Sequence, residues 1–381
     1  NALISPTSPV GATPGTFAVS PSGAATYTIP IVVPPGVNGL QPNLALVYNS
    51  QGGNGLPGVG WGLSGLSVIH RCGATIELDG FKGGVNYDAN DRFCLDGERL
   101  MRVGTSAEYR TEKESLQKIQ AADTTINPAW FTVTSPDGTV RQYGMTADSR
   151  IEAEAKVIVR VWALNRITAK NGNFMSVSYF ENNTKGAYWP TRIDYTGNQS
   201  SIPSNLVQLE YETRPDVFVH YEAGSIITTY ARLTNVRSSA GESRARDYRL
   251  GYDANGAVGR SRLISVQECG TDGVCLPFTK FEWQNGGNGG SSSMHSVATT
   301  GFNGGPGYGN QGTRAYVDVN GDGKADFCRL EGPDGSGSYY ILCTTNLGSG
   351  GAQQNIATTG FNGGPGYGNQ GTRAYVDVNG D

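Results

Sequence analysis

The chain has 381 residues, 37% of them hydrophobic, and a formal net charge of −4, which provides no basic surface for nucleic acid or an anionic membrane. No apolar run approaches the roughly 20 residues of a membrane-spanning helix, and the length is sufficient for two or more domains. Glycine is abundant, at 55 residues, but lacks the three-residue period of collagen, so the composition indicates a turn-rich β protein.

The first part of the chain predicts an all-β domain. Residues 1–24 are rich in Ser, Thr, Pro, Gly and Ala, which predicts an extended segment. After it, short β-branched or aromatic runs alternate with turn dipeptides such as Asp96-Gly97 and Asp137-Gly138. Only residues 111–120 have a composition that a helix tolerates, and they are too short and too weakly periodic. Strands are predicted at residues 25–33, 44–48, 66–71, 130–134, 139–143, 156–167, 175–180, 192–195, 206–211, 225–236 and 248–252. We therefore predict an antiparallel sheet or sandwich-like domain over residues 25–283.

A repeat follows a segment with the composition of a flexible linker. Residues 284–293 read QNGGNGGSSS, which predicts a domain boundary. Residues 298–322 read ATTGFNGGPGYGNQGTRAYVDVNGD, and residues 357–381 repeat them without a change, 59 residues later. Strand-like runs at 314–319, 325–330, 339–345 and 353–358 give each repeat about four short strands, the content of one β-propeller blade. Residues 294–381 are thus predicted to form such repeats, the second copy being truncated.

Oxygen-bearing side chains occupy positions 1, 3, 5 and 9 of the segment DVNGDGKAD, residues 318–326. Glycines between them let the backbone curl so that the oxygens converge, as Ca²⁺ requires. A helical calcium loop has a bidentate Glu at position 12, which here is Arg329, so we predict a calcium loop between strands. The alternative is a solvated turn of Asp and Asn. The predicted ligands are Asp318, Asn320, Asp322, Asp326 and the backbone carbonyl of Lys324, and in the second copy Asp377, Asn379 and Asp381.

The six cysteines form three pairs of positions close in sequence. One pair flanks the turn sequence GTDGV, and another is centred on Gly335 and Ser336, so that a hairpin there would place its members opposite each other. The alternative is six buried free thiols in a cytosolic protein, and we favour disulfides and an oxidising compartment. The predicted disulfides are Cys72–Cys94, Cys269–Cys275 and Cys328–Cys343.

Other motifs with a possible chemistry lack the context that the chemistry needs. Residues 60–65 read GWGLSG, which matches G-x-G-x-x-G, but a strand-like run follows where a dinucleotide site needs a helix. Trp61 within them is predicted to be a packing anchor. The S-x-x-K match at residues 115–118 has no supporting motif, and His70, His220 and His295 are isolated. A second acidic cluster is either a calcium site or a turn held by Asx hydrogen bonds, and we favour the turn; its members are Asp88, Asn90 and Asp91.

Two resemblances to known families cover most of the chain. The segments TYTIPIVVPPG (residues 26–36), PNLALVYNS (42–50) and GVGWGLSG (58–65) resemble the SpvB-type N-terminal domain of toxin-complex B components and Rhs/YD-repeat proteins. The segments NYDANDRFCLDG (86–97), WALNRI (162–167) and CGTDGVCLP (269–277) fit the same family. Residues 300–381 are similar to FG-GAP/VCBS calcium-binding repeats, through GFNGGP (301–306) and the Asp-rich loop.

These resemblances imply a non-catalytic N-terminal scaffold of a large bacterial protein that is secreted or on the cell surface. In toxin complexes, relatives help to build a shell around a toxic C-terminal cargo. The implied partners are proteins: the rest of a longer chain, further blades, or copies of the same chain. A structural or adhesive surface array is the alternative, favoured by the identity of the two repeat copies. An enzyme is the weakest hypothesis, because no acid/base pair, nucleophile triad or phosphate loop is recognisable.

Overall fold

The structure is a computed structural model that describes residues 11–253 and 259–283, together with the backbone of four strands between residues 315 and 356. Contacts between Cα atoms divide the chain into two units, Asn1–Asn285 and Gly286–Asp381. The described elements are β-strands except for one turn of α-helix, α1 (Ile76–Asp79), and a 3₁₀ turn (Ala147–Ser149). The protein is therefore all-β in the part that the structure describes, as the sequence predicts.

The strands of the first unit are numbered in chain order. They are β1 (Thr16–Val19), β2 (Ala25–Ile31), β3 (Leu44–Asn49), β4 (Asn54–Gly55), β5 (Gly58–Val59), β6 (Trp61–Ser64), β7 (Val68–Cys72), β8 (Arg92–Leu95), β9 (Glu98–Arg102), β10 (Glu108–Thr111), β11 (Lys118–Ala121), β12 (Phe131–Thr134), β13 (Val140–Tyr143), β14 (Arg150–Glu152), β15 (Val159–Thr168), β16 (Phe174–Asn182), β17 (Ala187–Gly197), β18 (Asn205–Glu222), β19 (Ser225–Ala240), β20 (Ser243–Tyr252), β21 (Leu263–Cys269) and β22 (Thr279–Lys280).

Eight strands close into an antiparallel barrel, which consists of β7 to β13 and β15. Strand β15 closes it, because it pairs with β7 at Val161–Ala163 and with β13 at Leu164–Thr168. The strand is buried along almost its whole length, as expected for a strand covered on both faces. Closure removes the unpaired edges that an open sheet of such short strands would expose. The sandwich-like domain predicted from sequence is thus a barrel with further sheet attached.

An aromatic cluster fills the barrel. Trp162 is fully buried, and its ring meets those of Phe93 and Phe131 edge to face at 5.3 and 5.1 Å between ring centroids. Phe93 and Phe131 are themselves 5.2 Å apart, and Tyr109 packs against both. The Trp162 indole N–H donates a hydrogen bond to the carbonyl of Pro128 at 2.8 Å, so that the polar atom of this large side chain is satisfied.

A second sheet region continues from the barrel through β15 to β22, each strand pairing with the next. Its longest hairpin, β18–β19, turns at Ala223 and Gly224, both with positive φ, as a two-residue hairpin turn requires. The tip of this hairpin contacts the barrel: Arg160 of β15 lies 3.5 Å from the Glu222 carboxylate. The Ser225 hydroxyl also donates a hydrogen bond to the Glu154 carbonyl at 3.2 Å. The tip of the hairpin is therefore attached to β15 and to the segment before it.

A separate four-stranded sheet has the order β1-β2-β3-β6. Its first strand lies within residues 1–24, where the sequence predicts only an extended segment. Trp61, predicted as a packing anchor, is buried in β6 beside β3.

The described strands of the second unit form one antiparallel meander, with the order β23-β24-β25-β26. Their bounds are β23 (Ala315–Val317), β24 (Asp326–Glu331), β25 (Tyr340–Thr344) and β26 (Gln353–Ile356). They coincide with the four strand-like runs that the sequence predicts. Four consecutive antiparallel strands are the content of a propeller blade, and the propeller itself stays a prediction.

Candidate functional site

The predicted calcium loop is bracketed by two paired strands. Val317, the last residue of β23, lies opposite Asp326, the first residue of β24, so residues 318–325 connect neighbouring antiparallel strands. This is the setting predicted for the loop, and it differs from a helix–loop–helix site. The ligand set itself stays a prediction, because its remaining members lie outside the described residues: Asp318, Asn320, Asp322, Lys324, Asp377, Asn379 and Asp381.

Two of the three predicted disulfides are present. Cys72 of β7 is bonded to Cys94 of β8, and Cys269 is bonded to Cys275 across the short turn that the sequence predicts. For the third pair, the backbone register places Cys328 of β24 directly opposite Cys343 of β25. That register is the one a cross-strand disulfide needs, and the side chains of these strands lie outside the described part of the structure.

The second acidic cluster is an Asx turn attached to a buried ion pair, as favoured above. The Asp88 carboxylate accepts the N–H of Asn90 at 2.7 Å, which is the hydrogen bond of an Asx turn. Asp91 instead faces inward, where it pairs with Arg71 at 3.1 Å. Burial lowers the pKa of Arg71, and the Asp91 carboxylate opposes this effect. Within residues 11–253 and 259–283, no group of three or more His, Cys, Asp or Glu side chains could hold a metal ion.

A cavity of about 310 Å³ lies at this end of the barrel and carries charges of both signs. Arg92 and Arg99 both donate hydrogen bonds to the Asp79 carboxylate, at 2.7 Å. Burial raises the pKa of Asp79, but the Thr75 N–H and the two guanidinium groups outweigh burial, so its pKa is lowered overall. Both arginines already have a carboxylate partner. We therefore interpret the charges of this cavity as a structural ion-pair network and not as an anion-binding site.

An aromatic groove lies on the first unit. It is a cavity of about 290 Å³, also lined by Lys280 and Glu282. Its rings belong to β2, β3, β6 and the segment after β22, and they are Tyr27, Tyr48, Trp61, Phe281 and Trp283.

The rings of this groove pack against each other. The Trp61 ring lies 4.9 Å from that of Phe281 and 5.4 Å from that of Tyr48, between ring centroids. Trp61 is buried and the other four rings are half-buried. Aromatic side chains are enriched where proteins contact partners. Trp61 belongs to the G-x-G-x-x-G match. Strand β6 of that match leads into β7 and not into a helix, so the strand–turn–helix geometry of a dinucleotide site is absent there.

A buried arginine that sequence reasoning missed joins three distant segments. Arg214 of β18 donates hydrogen bonds to the Asn54 side chain at 2.7 Å and to the Gly55 carbonyl at 3.1 Å. It also pairs with Asp216 at 3.0 Å, and Asp216 accepts the backbone N–H of Ser261. Burial raises the pKa of Asp216, but these hydrogen bonds outweigh burial. The pKa is therefore lowered overall, and the carboxylate is ionised. No local pattern signals a contact between positions about 160 residues apart.

The other motif residues singled out in the sequence have the following surroundings in the described part of the chain. The Ser115 hydroxyl hydrogen-bonds to that of Thr111 at 2.7 Å, in the turn between β10 and β11. Burial lowers the pKa of His70, while Glu222 and Asp96 raise it. His220 lies exposed on β18, and His295 is outside the described residues. In the part of the chain that the structure describes, no helix has the length and apolarity needed to cross a membrane.

Comparison with known proteins finds a similarity in the N-terminal part of the chain. Residues 19–121 match the family model described as "Salmonella virulence plasmid 65kDa B protein", SpvB. Residues 19–121 are therefore similar to the SpvB family. Over 84 residues the chain is 34% identical to the mono(ADP-ribosyl)transferase SpvB of Salmonella typhimurium, an alignment that covers 22% of this chain and 13% of that protein.

The fold extends the likeness beyond this region. The crystal structure of TcdB2-TccC3 superposes with a TM-score of 0.64 at 18% identity, covering 92% of this chain and 20% of that one. The Tc holotoxin pore of Photorhabdus luminescens superposes with a TM-score of 0.62 at 18% identity, covering 94% of this chain and 20% of that one. The N-terminal domain of SpvB from Salmonella typhimurium LT2 superposes with a TM-score of 0.52 at 17% identity, covering 64% of this chain and 99% of that one. The chain therefore spans about a fifth of the toxin-complex chains whose fold it shares.

Proposed function

We propose that this chain is a non-catalytic N-terminal scaffold region of a secreted, toxin-complex-like bacterial protein, closing with calcium-stabilised repeat blades. The observation that carries the proposal is the combination of an SpvB-type region with a fold shared over 92% of the chain with TcdB2-TccC3. The disulfides Cys72–Cys94 and Cys269–Cys275 support an oxidising compartment. On this proposal the partners are proteins, and the aromatic groove is a surface on which one of them packs.

The calcium part of the proposal rests on the second unit. Three carboxylates at positions 1, 5 and 9 of residues 318–326 would repel each other without a cation, which would loosen the connection between β23 and β24. A bound Ca²⁺ would neutralise them and stabilise the meander. On this proposal the metal is structural. Asp377, Asn379 and Asp381 repeat the first three ligand positions in the second copy, which supports a series of such blades.

The proposed absence of catalysis can be tested by assaying this chain for the activity named for its relative, the mono(ADP-ribosyl)transferase SpvB. Only 13% of the SpvB transferase aligns with this chain, over 84 residues. We expect the purified chain to incorporate no ADP-ribose into protein acceptors when incubated with labelled NAD⁺, under conditions in which an active transferase modifies them. Incorporation that depends on the chain would refute the non-catalytic assignment.

A structural or adhesive array is the second candidate, and one observation favours it. The 25 residues of 298–322 recur without a substitution at 357–381, and identical surfaces suit repetitive assembly. Analytical ultracentrifugation over a wide protein concentration range distinguishes the array from the scaffold. An open-ended size distribution that grows with concentration would favour the array, whereas a single closed species would favour the scaffold.

A further inference from the structure

A cavity of about 260 Å³ lies beside the tip of the β18–β19 hairpin, and we call it the hairpin cavity. Four distant parts of the chain form its walls: the β4–β5 turn, strand β15, the start of β17 and both strands of the hairpin. It shares no lining residue with the aromatic groove or with the cavity beside Asp79. The hairpin cavity is therefore a separate feature of the first unit.

Arg160 of β15 lines the hairpin cavity and is only 8% exposed. One terminal N–H of its guanidinium donates a hydrogen bond to the Gly186 carbonyl at 3.0 Å. The other terminal nitrogen is 3.5 Å from the Glu222 carboxylate, whereas a charge-assisted hydrogen bond measures about 2.7–2.9 Å. The Nε atom is buried and has no hydrogen-bond partner among the described residues. A buried donor without an acceptor is costly, so this guanidinium has capacity for a further acceptor.

The other polar side chains of the hairpin cavity can all donate hydrogen bonds. They are the hydroxyls of Tyr188, Thr228 and Thr229 and the imidazole of His220. None of the described residues that line this cavity is acidic. In this respect it differs from the cavity beside Asp79, which is lined by three aspartates. A buried cation and several donors, with no carboxylate in the wall, match the charge and the acceptor oxygens of an oxyanion.

The rest of the wall is apolar. Leu56, Trp189 and Ile227 line the hairpin cavity, and Trp189 and Ile227 are buried. Small-molecule sites combine such apolar walls with a few polar groups that fix the orientation of the ligand. The volume lies below the range of about 300–1,000 Å³ that is typical of drug-sized ligands. A ligand of this cavity therefore has a compact apolar body next to its charged group.

We propose that the hairpin cavity binds a small organic oxyanion, a molecule with one carboxylate or phosphate group on a compact apolar body. The oxyanion accepts hydrogen bonds from the Arg160 guanidinium, and the apolar body packs against Leu56 and Trp189. Arg160 belongs to the barrel strand β15, whereas Thr228 belongs to the hairpin. A bound ligand thus joins the barrel to the hairpin tip and stabilises the folded chain, because the unfolded chain has no such cavity.

The test measures urea unfolding of the full chain while phenylacetate, phenyl phosphate, the uncharged phenylacetamide or inorganic phosphate is titrated. A ligand at a hundred times its dissociation constant raises the folding equilibrium constant about a hundredfold. We expect a concentration-dependent rise with phenylacetate or phenyl phosphate, and the stronger of the two identifies the oxyanion. Phenylacetamide should change the constant less than about twofold. No rise with either acid, or an equal rise with phenylacetamide, would overturn the proposal, and an equal rise with inorganic phosphate would contradict its apolar half.

Substitutions locate the binding, each variant being compared with itself without ligand. Arg160→Gln should weaken the binding of the preferred acid about tenfold or more, because a hydrogen bond to a charged group is lost. The double variant Tyr188→Phe and Thr229→Val removes two donors and leaves Arg160 in place, so it tests the site even if Arg160→Gln does not fold. It should also weaken binding. Arg244→Gln, at an exposed arginine of β20, is the matched control and should leave the affinity unchanged. Unchanged affinity in the double variant, or an equal loss in Arg244→Gln, would show that the acid binds elsewhere and the proposal is wrong.

Discussion

Replacement of Asp91 by Asn should destabilise the barrel by breaking its buried ion pair. Arg71 and Asp91 have 0% and 1% of their side chains exposed. The Arg71 guanidinium donates to the carbonyls of Val159 and Ile126, both at 2.7 Å, and lies 5.6 Å from the centre of the Trp162 ring. It is therefore fixed in place with its charge inside the protein, and Asp91 is the carboxylate that compensates it.

The size of the effect follows from the two donors that Asp91 satisfies. One oxygen accepts the Arg71 guanidinium at 3.1 Å, and the other accepts the backbone N–H of Asn86 at 2.7 Å. An asparagine has one acceptor oxygen, so one of the two donors would face an NH₂ group. Removal of one partner from a buried pair costs about 3–5 kcal/mol, and we expect about 3 kcal/mol because Arg71 keeps its carbonyl acceptors.

Tryptophan fluorescence during urea unfolding measures this effect, because all five tryptophans lie in the first unit. With a denaturant dependence of about 3 kcal/mol/M, the midpoint should fall by about 1 M. Asp88→Asn is the matched control: Asp88 is exposed, an asparagine oxygen can still accept the N–H of Asn90, and the midpoint should hardly move. Equal shifts in the two variants, or a shift that added calcium reverses, would refute the ion-pair account of this cluster.

Three further predictions concern the repeat, the cysteines and one glycine. Chelation of calcium should lower the melting temperature of the second unit in calorimetry, and Asp318→Ala should remove that dependence; an unchanged transition in EDTA would exclude the site. Peptide mapping without reduction should recover Cys328 linked to Cys343, whereas free thiols there would contradict the register argument. Gly144→Ala should cost about 2 kcal/mol or more, because φ is +71° and a Cβ would lie 2.5 Å from a buried tryptophan ring of β15. Gly224→Ala, also at positive φ but with open space around it, should cost less.

Local signals in the sequence account for many of the strands. The hairpin β12–β13 follows from its alternating pattern and from Asp137-Gly138, where Gly138 has a φ of +85°. Some strands were not predicted, such as β9 (Glu98–Arg102) and β10 (Glu108–Thr111). They are short and begin with Glu, a residue that is depleted in strands. Pairing with barrel neighbours imposes their conformation. Barrel closure could not be predicted from local sequence either, because it pairs His70 with Val161 across about 90 residues.

Some site residues could likewise be predicted from local sequence, and others could not. Turn composition was sufficient to predict the Cys269–Cys275 disulfide, because its loop is local. The inward orientation of Asp91 depends on Arg71, and the clamp around Arg214 depends on Asn54, so neither has a sequence pattern.

Electron microscopy of the purified protein, with and without calcium, tests the central claim most directly. A toxin-complex-like scaffold should appear as discrete closed particles in which the first unit forms part of a continuous β wall, and chelation should disorder only the repeat region. Filaments of indefinite length, or extended arrays that persist in EDTA, would contradict the scaffold assignment and favour the surface-array alternative.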